Sequence, residues 1–285
     1  MGNFIWYFLL TSLKAVWYNM KKHKYEEEKM TALKIMSFNM RMDTPVDGDK
    51  RFSYRKEGIA KMIKEESPDV IGFQEITDVM RDWIVDTLTD YYTVGVGREA
   101  DYCGESSLIA YKKNLMSLLS ANTVMLSNSP TVFGSRYDGT DQSVCPRVYT
   151  KVCLKHRTIA EPFYVYNVHT DHRGQTARIL AVTQLLQDVS SHGRKVFLTG
   201  DFNADPDSTE IRMMTESSTR ALKDATSELG GTFHDYGRAK ERRKIDYVFT
   251  DADTAVREAV RVNDEPREGE NYLSDHNPIY IVAEI

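Results

Sequence analysis

From Leu33 onward the chain alternates between two periods of apolar positions. Leu33-Lys34-Ile35-Met36-Ser37-Phe38 is largely alternating, which predicts a strand with one face buried. Residues 55–66 carry Ile59, Met62 and Ile63 at helical spacing, and Pro68 ends that helix. Val70-Ile71-Gly72-Phe73 is a short, continuous apolar run of the kind found in strands buried on both faces. A second helix is expected over 77–88, with Val79, Trp83 and Leu88 as its apolar positions. Strands follow at 92–96, 107–111 and 116–126, then a Gly/Ser/Asp-rich loop at 127–145, then strands at 148–154 and 163–168. Residues 175–189 predict a helix through Ile179, Val182, Leu185, Leu186 and Val189. A strand at 195–199, a loop at 200–207 and strands at 245–249, 255–262 and 279–282 complete the pattern. Several strands adjoin others with no helix between them, so packed sheets with helices on their outer faces are expected.

The N-terminus breaks this order. Phe4 to Leu10 is continuously apolar or aromatic, but Lys14 interrupts the run well short of the about 20 residues a membrane span needs. Lys21-Lys22-His23-Lys24 and Glu26-Glu27-Glu28-Lys29 then read as a solvated linker. Residues 1–29 are therefore expected to be an extension outside the main fold, which occupies 30–285. The alternative is a weak interfacial helix over residues 4–18, which would make a cytoplasmic, monomeric protein a peripheral membrane one.

A chain of 285 residues is long enough to bury its own core without a metal or disulfide staple. With 41% hydrophobic and 28% charged residues, disorder and collagen-like repeats are excluded for the bulk of it. Cys103, Cys145 and Cys153 form no C-x-x-C and are odd in number, so they are expected as free, buried or half-buried thiols. The net charge of −5 argues against long stretches of nucleic acid as the main partner, because phosphate neutralisation supplies that affinity.

Acids, amides and histidines gather where the expected strands end: Asn39, Gln74-Glu75, Asn167-Val168-His169-Thr170-Asp171-His172, Gly200-Asp201-Phe202-Asn203, Ile245-Asp246-Tyr247 and Ser274-Asp275-His276-Asn277-Pro278. Singly, each is readable as a polar turn or cap. Asp246 is the exception, since Asp is depleted in strands. Together they favour a divalent-metal site with acid–base partners. Carboxylate and amide oxygens suit Mg²⁺ or Mn²⁺ rather than zinc.

These six motifs, in this order, resemble those of the endonuclease/exonuclease/phosphatase superfamily, over about residues 33–285. Arg41, Gly97-Arg98, Gly104-Glu105 and Pro146-Arg147 further resemble its bacterial metal-dependent hydrolases of unassigned substrate, although Ser106 stands where that group usually has an aromatic. The resemblance implies a four-layer α/β/β/α sandwich of the DNase I type, with two mixed central sheets and the site at one rim. It implies Glu75 as principal ligand of Mg²⁺ or Mn²⁺, aided by Asn39 and Asp275. It implies Asp201 as the residue that orients water, with Asp201 or His276 as the base that deprotonates it, and Asn203 as a contact to phosphate or water. His276, fixed by Asp246, would stabilise developing charge. His169 would bind a further phosphate oxygen or lie near the leaving group, with Glu105 as its partner. Arg41, Arg98 and Arg147 are candidate contacts to substrate phosphate, the guanidinium fork being suited to it. The run Arg238, Lys240, Arg242, Arg243, Lys244 is expected mainly as a solvated loop. A small or terminal phosphate ester is the expected substrate. A nuclease acting on DNA or RNA is the alternative, and a non-catalytic binding protein would require a broken site, whereas every core acid, amide and histidine is present.

Overall fold

A computed structural model describes residues 31–263, 265–266 and 271–285. The N-terminal expectations for residues 1–29 fall outside the described residues. Twelve strands form two sheets: β1 (Ala32–Asn39), β2 (Val70–Ile76), β3 (Tyr91–Val94), β4 (Ser106–Lys112), β5 (Met116–Met125), β6 (Val148–His156), β7 (Phe163–His169), β8 (Val196–Asp201), β9 (Leu222–Asp224), β10 (Asp246–Asp251), β11 (Ala255–Arg261) and β12 (Ile279–Glu284). One sheet runs β11-β12-β1-β2-β4-β3 and the other β5-β6-β7-β8-β10-β9. Each has one parallel pair, β1/β2 and β7/β8, and its other pairs are antiparallel. Helices α1 (Phe52–Glu66) and α2 (Asp78–Thr87) belong with the first sheet, α3 (Gln175–Ser190) and α4 (Thr209–Glu216) with the second.

The period of two sorts side chains into layers. In β1, Met36 and Phe38 pack with Ile59, Met62 and Ile63 of α1, while Leu33 and Ile35 join the layer between the sheets. In β8, Leu198 packs with Val182 and Leu185 of α3, while Phe197 enters the central layer. Three apolar layers thus separate four of backbone, which is the α/β/β/α sandwich. Each fully buried Leu, Ile or Phe contributes about 1.5–3 kcal/mol of transfer free energy.

Most expected elements are present with ends moved by a few residues. At helix α2 the expected Trp83 and Leu88 pack on the core together with Met80 and Ile84, while Val79 is 69% exposed. Helix α4 and β9 were not expected. Helix α4 hides from pattern reading because its inward face carries an acid, Glu210, buried against Arg178 at 2.8 Å. The three cysteines are free, but Cys103 is exposed rather than buried. Among the described residues no helix is long and apolar enough to cross a membrane.

Candidate active site

The alternation that fills the central layer also builds the site. Along β7, Phe163 and Val165 face the layer between the sheets, and Asn167 and His169 continue the same face. Along β8 the series is Phe197, Thr199, Asp201. Each strand therefore turns from apolar to polar at one end of the seam. Register then aligns the ends: His169 and Asp246 are both strand partners of Asp201. Gly72 of β2 lets the two sheets close, since a Cβ there would lie 2.0 Å from Thr199 Oγ1 and 2.7 Å from Asn167 Oδ1. Asn167 accepts from Gln74 Nε2 at 2.6 Å and donates to the carbonyls of Phe73 and Leu108, pinning sheet to sheet beneath the site.

Asp201 lies at the centre. Its Oδ2 accepts from Asn39 Nδ2 at 3.0 Å and stands 3.6 Å from His169 Nε2 and 3.8 Å from His276 Nε2. Its Oδ1 accepts from Asn203 N at 2.9 Å. His276 Nδ1 donates to Asp246 Oδ2 at 2.8 Å, the same oxygen that accepts from Thr232 Oγ1 at 2.6 Å, and the Phe233 ring lies 5.0 Å from the imidazole. Glu75 interrupts the pairing of β2 with β4 at a bulge and has φ 61°. A left-handed φ is unfavourable for Glu, and such strain clusters at functional sites. Arg41 (φ 54°) and Asn203 (φ 47°) share it. Glu75 Oε1 accepts from Asn39 Nδ2 at 3.0 Å and Oε2 from Met42 N at 2.9 Å.

Burial and charge set the protonation states. Burial, then the Asp246 carboxylate, push Asp201 up to about 7 against the pull of His276. Burial opposes charge on His276, but Asp246 outweighs it and holds the imidazolium well above the usual range. For His169 burial and then Arg147 and Arg98 act together, keeping it neutral. Burial alone would raise Glu75, yet Arg41 and two hydrogen bonds hold it below the ordinary carboxylate value.

The arginines differ in what they hold. Arg41 forks onto Asp47 at 2.9 and 3.0 Å, with Nη1 4.0 Å from Glu75 and Nε 3.9 Å from Asp275. Arg98 forks onto Glu105 at 2.9 and 2.6 Å. Glu105 is thus the partner of Arg98 and not, as expected, of His169. A guanidinium fork matches a carboxylate better than one imidazole N–H does. Arg147 meets His172 Nδ1 at 2.9 Å. In the basic run, Arg238, Arg242, Arg243 and Lys244 are each paired with an acid, and Lys244 is buried.

Sequence reading missed two supporting residues, Arg55 and Thr232, and gave no role to Asp171 and His172 in the run after Asn167. Arg55 is 2% exposed and donates to the carbonyls of Met40, Arg41, Lys50 and Leu273, tying the loop after β1 to the segment before Asp275. Its signal was available, because position 55 lies in the same helical stripe as Phe52 and Ile59. Asp171 accepts from Ser143, Arg173 and Gly174 and shapes the turn after β7.

Two groups can hold a cation. Asp201, Asp246 and His276 offer ligand atoms within 4.8 Å of one another, but the His276 Nδ1 and Asp246 Oδ2 atoms are bonded to each other. Glu75, Asp275 and the Asn39 amide offer oxygen, and the two carboxylates already flank the Arg41 guanidinium, so a positive charge is favoured there. That donor chemistry fits a hard divalent ion.

Fold and site together are those of a DNase I-like phosphoric ester hydrolase. The model of the endonuclease/exonuclease/phosphatase family matches residues 36–276, and the chain belongs to that family. Members of that family are generally dependent on divalent metal. The chain is similar to an endonuclease/exonuclease/phosphatase from Bacteroides vulgatus: 30% identity, TM-score 0.83, covering 90% of this chain and 99% of that one. It is also similar in fold to a mannosyl-6-phosphatase from Bacteroides thetaiotaomicron, at 24% identity and TM-score 0.79 over 89% of this chain and 100% of that one. An uncharacterized protein of Acanthamoeba polyphaga mimivirus is 23% identical over 215 residues, 70% of this chain and 80% of that protein.

Proposed function

We propose that the protein is a Mg²⁺- or Mn²⁺-dependent phosphoesterase that hydrolyses a small or terminal phosphate ester by in-line attack of water. The observation that carries this reading is Asp201, a buried carboxylate whose strand partners are His169 and Asp246 and whose Oδ2 stands 3.6 Å from His169 Nε2 and 3.8 Å from His276 Nε2. Glu75, Asn39 and Asp275 would hold the cation, which when bound neutralises charge on the phosphoryl oxygens.

The residues divide the remaining work. Asp201, tuned close to neutral pH, orients water and takes its proton. Asn203 holds that water or the phosphate. His276, oriented by Asp246, donates to a phosphoryl oxygen as charge develops there. Neutral His169 serves a further oxygen or the leaving group. Of the three arginines, Arg41 and Arg98 are forked onto acids, so Arg147 is the strongest candidate for a direct contact to the ester. Net charge −5 and the acid-paired basic run support a compact substrate over a long polyanion.

Nucleotides, single and double strands, sugar and inositol phosphates and sphingomyelin, assayed with Mg²⁺ or Mn²⁺, test the reading. The best substrate should be a small or terminal ester whose kcat/KM falls only weakly with salt. Duplex DNA cut internally, with a steep salt slope, would overturn it.

A further inference from the structure

Beside the catalytic group a narrow recess runs inward between Glu75, Arg98, Glu105, Arg147, Val148 and His169. It has about 10 Å³ for the centre of a water-sized group, room for a small polar group. Its walls are polar and unequal. Both terminal nitrogens of Arg98 are taken up by Glu105, which leaves only its Nε without a hydrogen-bond partner, 3.6 Å from Glu99. Arg147 is not so engaged. It is 5% exposed, its Nη2 meets His172, and its Nε and Nη1 have no hydrogen-bond partner. The nearest acid, Asp171, stands 3.8 Å from Nε, and its oxygens already accept from Ser143, Arg173 and Gly174. Buried N–H groups are nearly always satisfied, so two orphaned donors on one buried guanidinium call for an acceptor.

Resting on the phosphoesterase reading, we propose that this recess receives an unsubstituted phosphoryl oxygen of the substrate, which makes the enzyme a phosphomonoesterase. A monoester carries three non-ester oxygens, so one is left to enter the recess while the others meet His276 and the cation side. A diester has only two, so an ester oxygen that bears carbon would have to take one of the three places. Arg147 then discriminates by charge as well, because the monoester is a dianion and the diester a monoanion. The reaction balances simply. The water oxygen bonds to phosphorus and the P–O bond to the alcohol breaks. The alcohol oxygen leaves with that electron pair and gains one proton, as water loses one. Orthophosphate and the alcohol are the products.

The full-length protein with Mg²⁺ is assayed on 4-nitrophenyl phosphate and on methyl 4-nitrophenyl phosphate, which share a leaving group. The monoester should have at least about 10-fold higher kcat/KM. Arg147→Met should lower the monoester-to-diester ratio about 10-fold or more, and Arg147→Lys by less, since it keeps the charge but not the fork. Orthophosphate should inhibit the wild type competitively, and Arg147→Met about 10-fold more weakly. A wild type that prefers the methyl ester sinks the proposal whether or not any variant folds, as does an unchanged ratio in a folded Arg147→Met. Hydrolysis of the diester alone leaves the phosphoesterase reading standing. Hydrolysis of neither ester, nor of any other phosphate ester, removes that reading and this one with it.

Discussion

His276 is held from two directions, by Asp246 through Nδ1 and by the Phe233 ring on its flank. Its charged form depends on that carboxylate, since burial alone would neutralise it. His276→Ala should therefore lower kcat by at least about 10²-fold, the scale of one lost transition-state contact. Asp246→Asn should act in the same direction by removing the charge that sustains the imidazolium. Steady-state kinetics on folded variants decide the matter: a change confined to KM would make His276 a uniform binding contact. At this scale the chemistry-bearing residues were legible, because an acid inside a strand, as at Asp246, has few structural reasons to be there. Their partners were not. Glu105 pairs with Arg98, and Thr232 reaches Asp246 from a loop, through contacts that only the folded chain creates.

The strands place the site by register, and the helices by how they are anchored. Strands β7, β8 and β10 bring His169, Asp201 and Asp246 level, and period-two reading reached these strands readily. For α2 helical spacing found Trp83 and Leu88 but also took Val79, because Val79, Met80, Trp83, Ile84 and Val85 spread apolar character around more than one side. The N-terminus of α3 shows how a loop without periodicity can still be built in. Gly174 leaves that end without a side-chain cap, and Asp141, from the long loop, accepts from Thr176 N and Ala177 N at 3.0 Å each. Those two bonds hold the Asp141 carboxyl below its usual range. A depressed carboxyl stabilises the fold above its unfolded value and loses that contribution as pH falls through the folded one. Asp141→Ala should thus lower Tm by about 2–4 °C at neutral pH, as for a lost cap in a protein of this size. Below about pH 4 the difference should shrink as Asp141 protonates in the wild type. A Tm gap unchanged down to pH 3 would show that the cap contributes through something other than charge.

Across the whole molecule, the three apolar layers and the polar end of the seam lie entirely within the described residues, beginning with Leu33. A chain starting at Met30 should therefore fold and turn over substrate like the full-length protein, with matching thermal unfolding. An insoluble or inactive shorter form would show that residues 4–18 pack on this core. Packed sheets with helices outside were legible from strands that adjoin one another with no helix between. The four layers came from the resemblance that the six motifs carry, and alternation along the strands is how the chain realises them. The order of strands within each sheet was not legible, since pairing partners such as β1 and β12 are separated by most of the chain. On the proposed function, the rim this architecture builds is where Glu75, Asn39 and Asp275 would hold a cation next to Asp201 and His276. Metal-stripped protein in chelator, followed by titration with Mg²⁺ or Mn²⁺ in the wild type and in Glu75→Gln, tests that most directly. Hydrolysis should vanish in chelator and return with metal, and Glu75→Gln should need a higher metal concentration and turn over at least about 10²-fold more slowly. Full hydrolysis in chelator, with metal content below protein content, would contradict it.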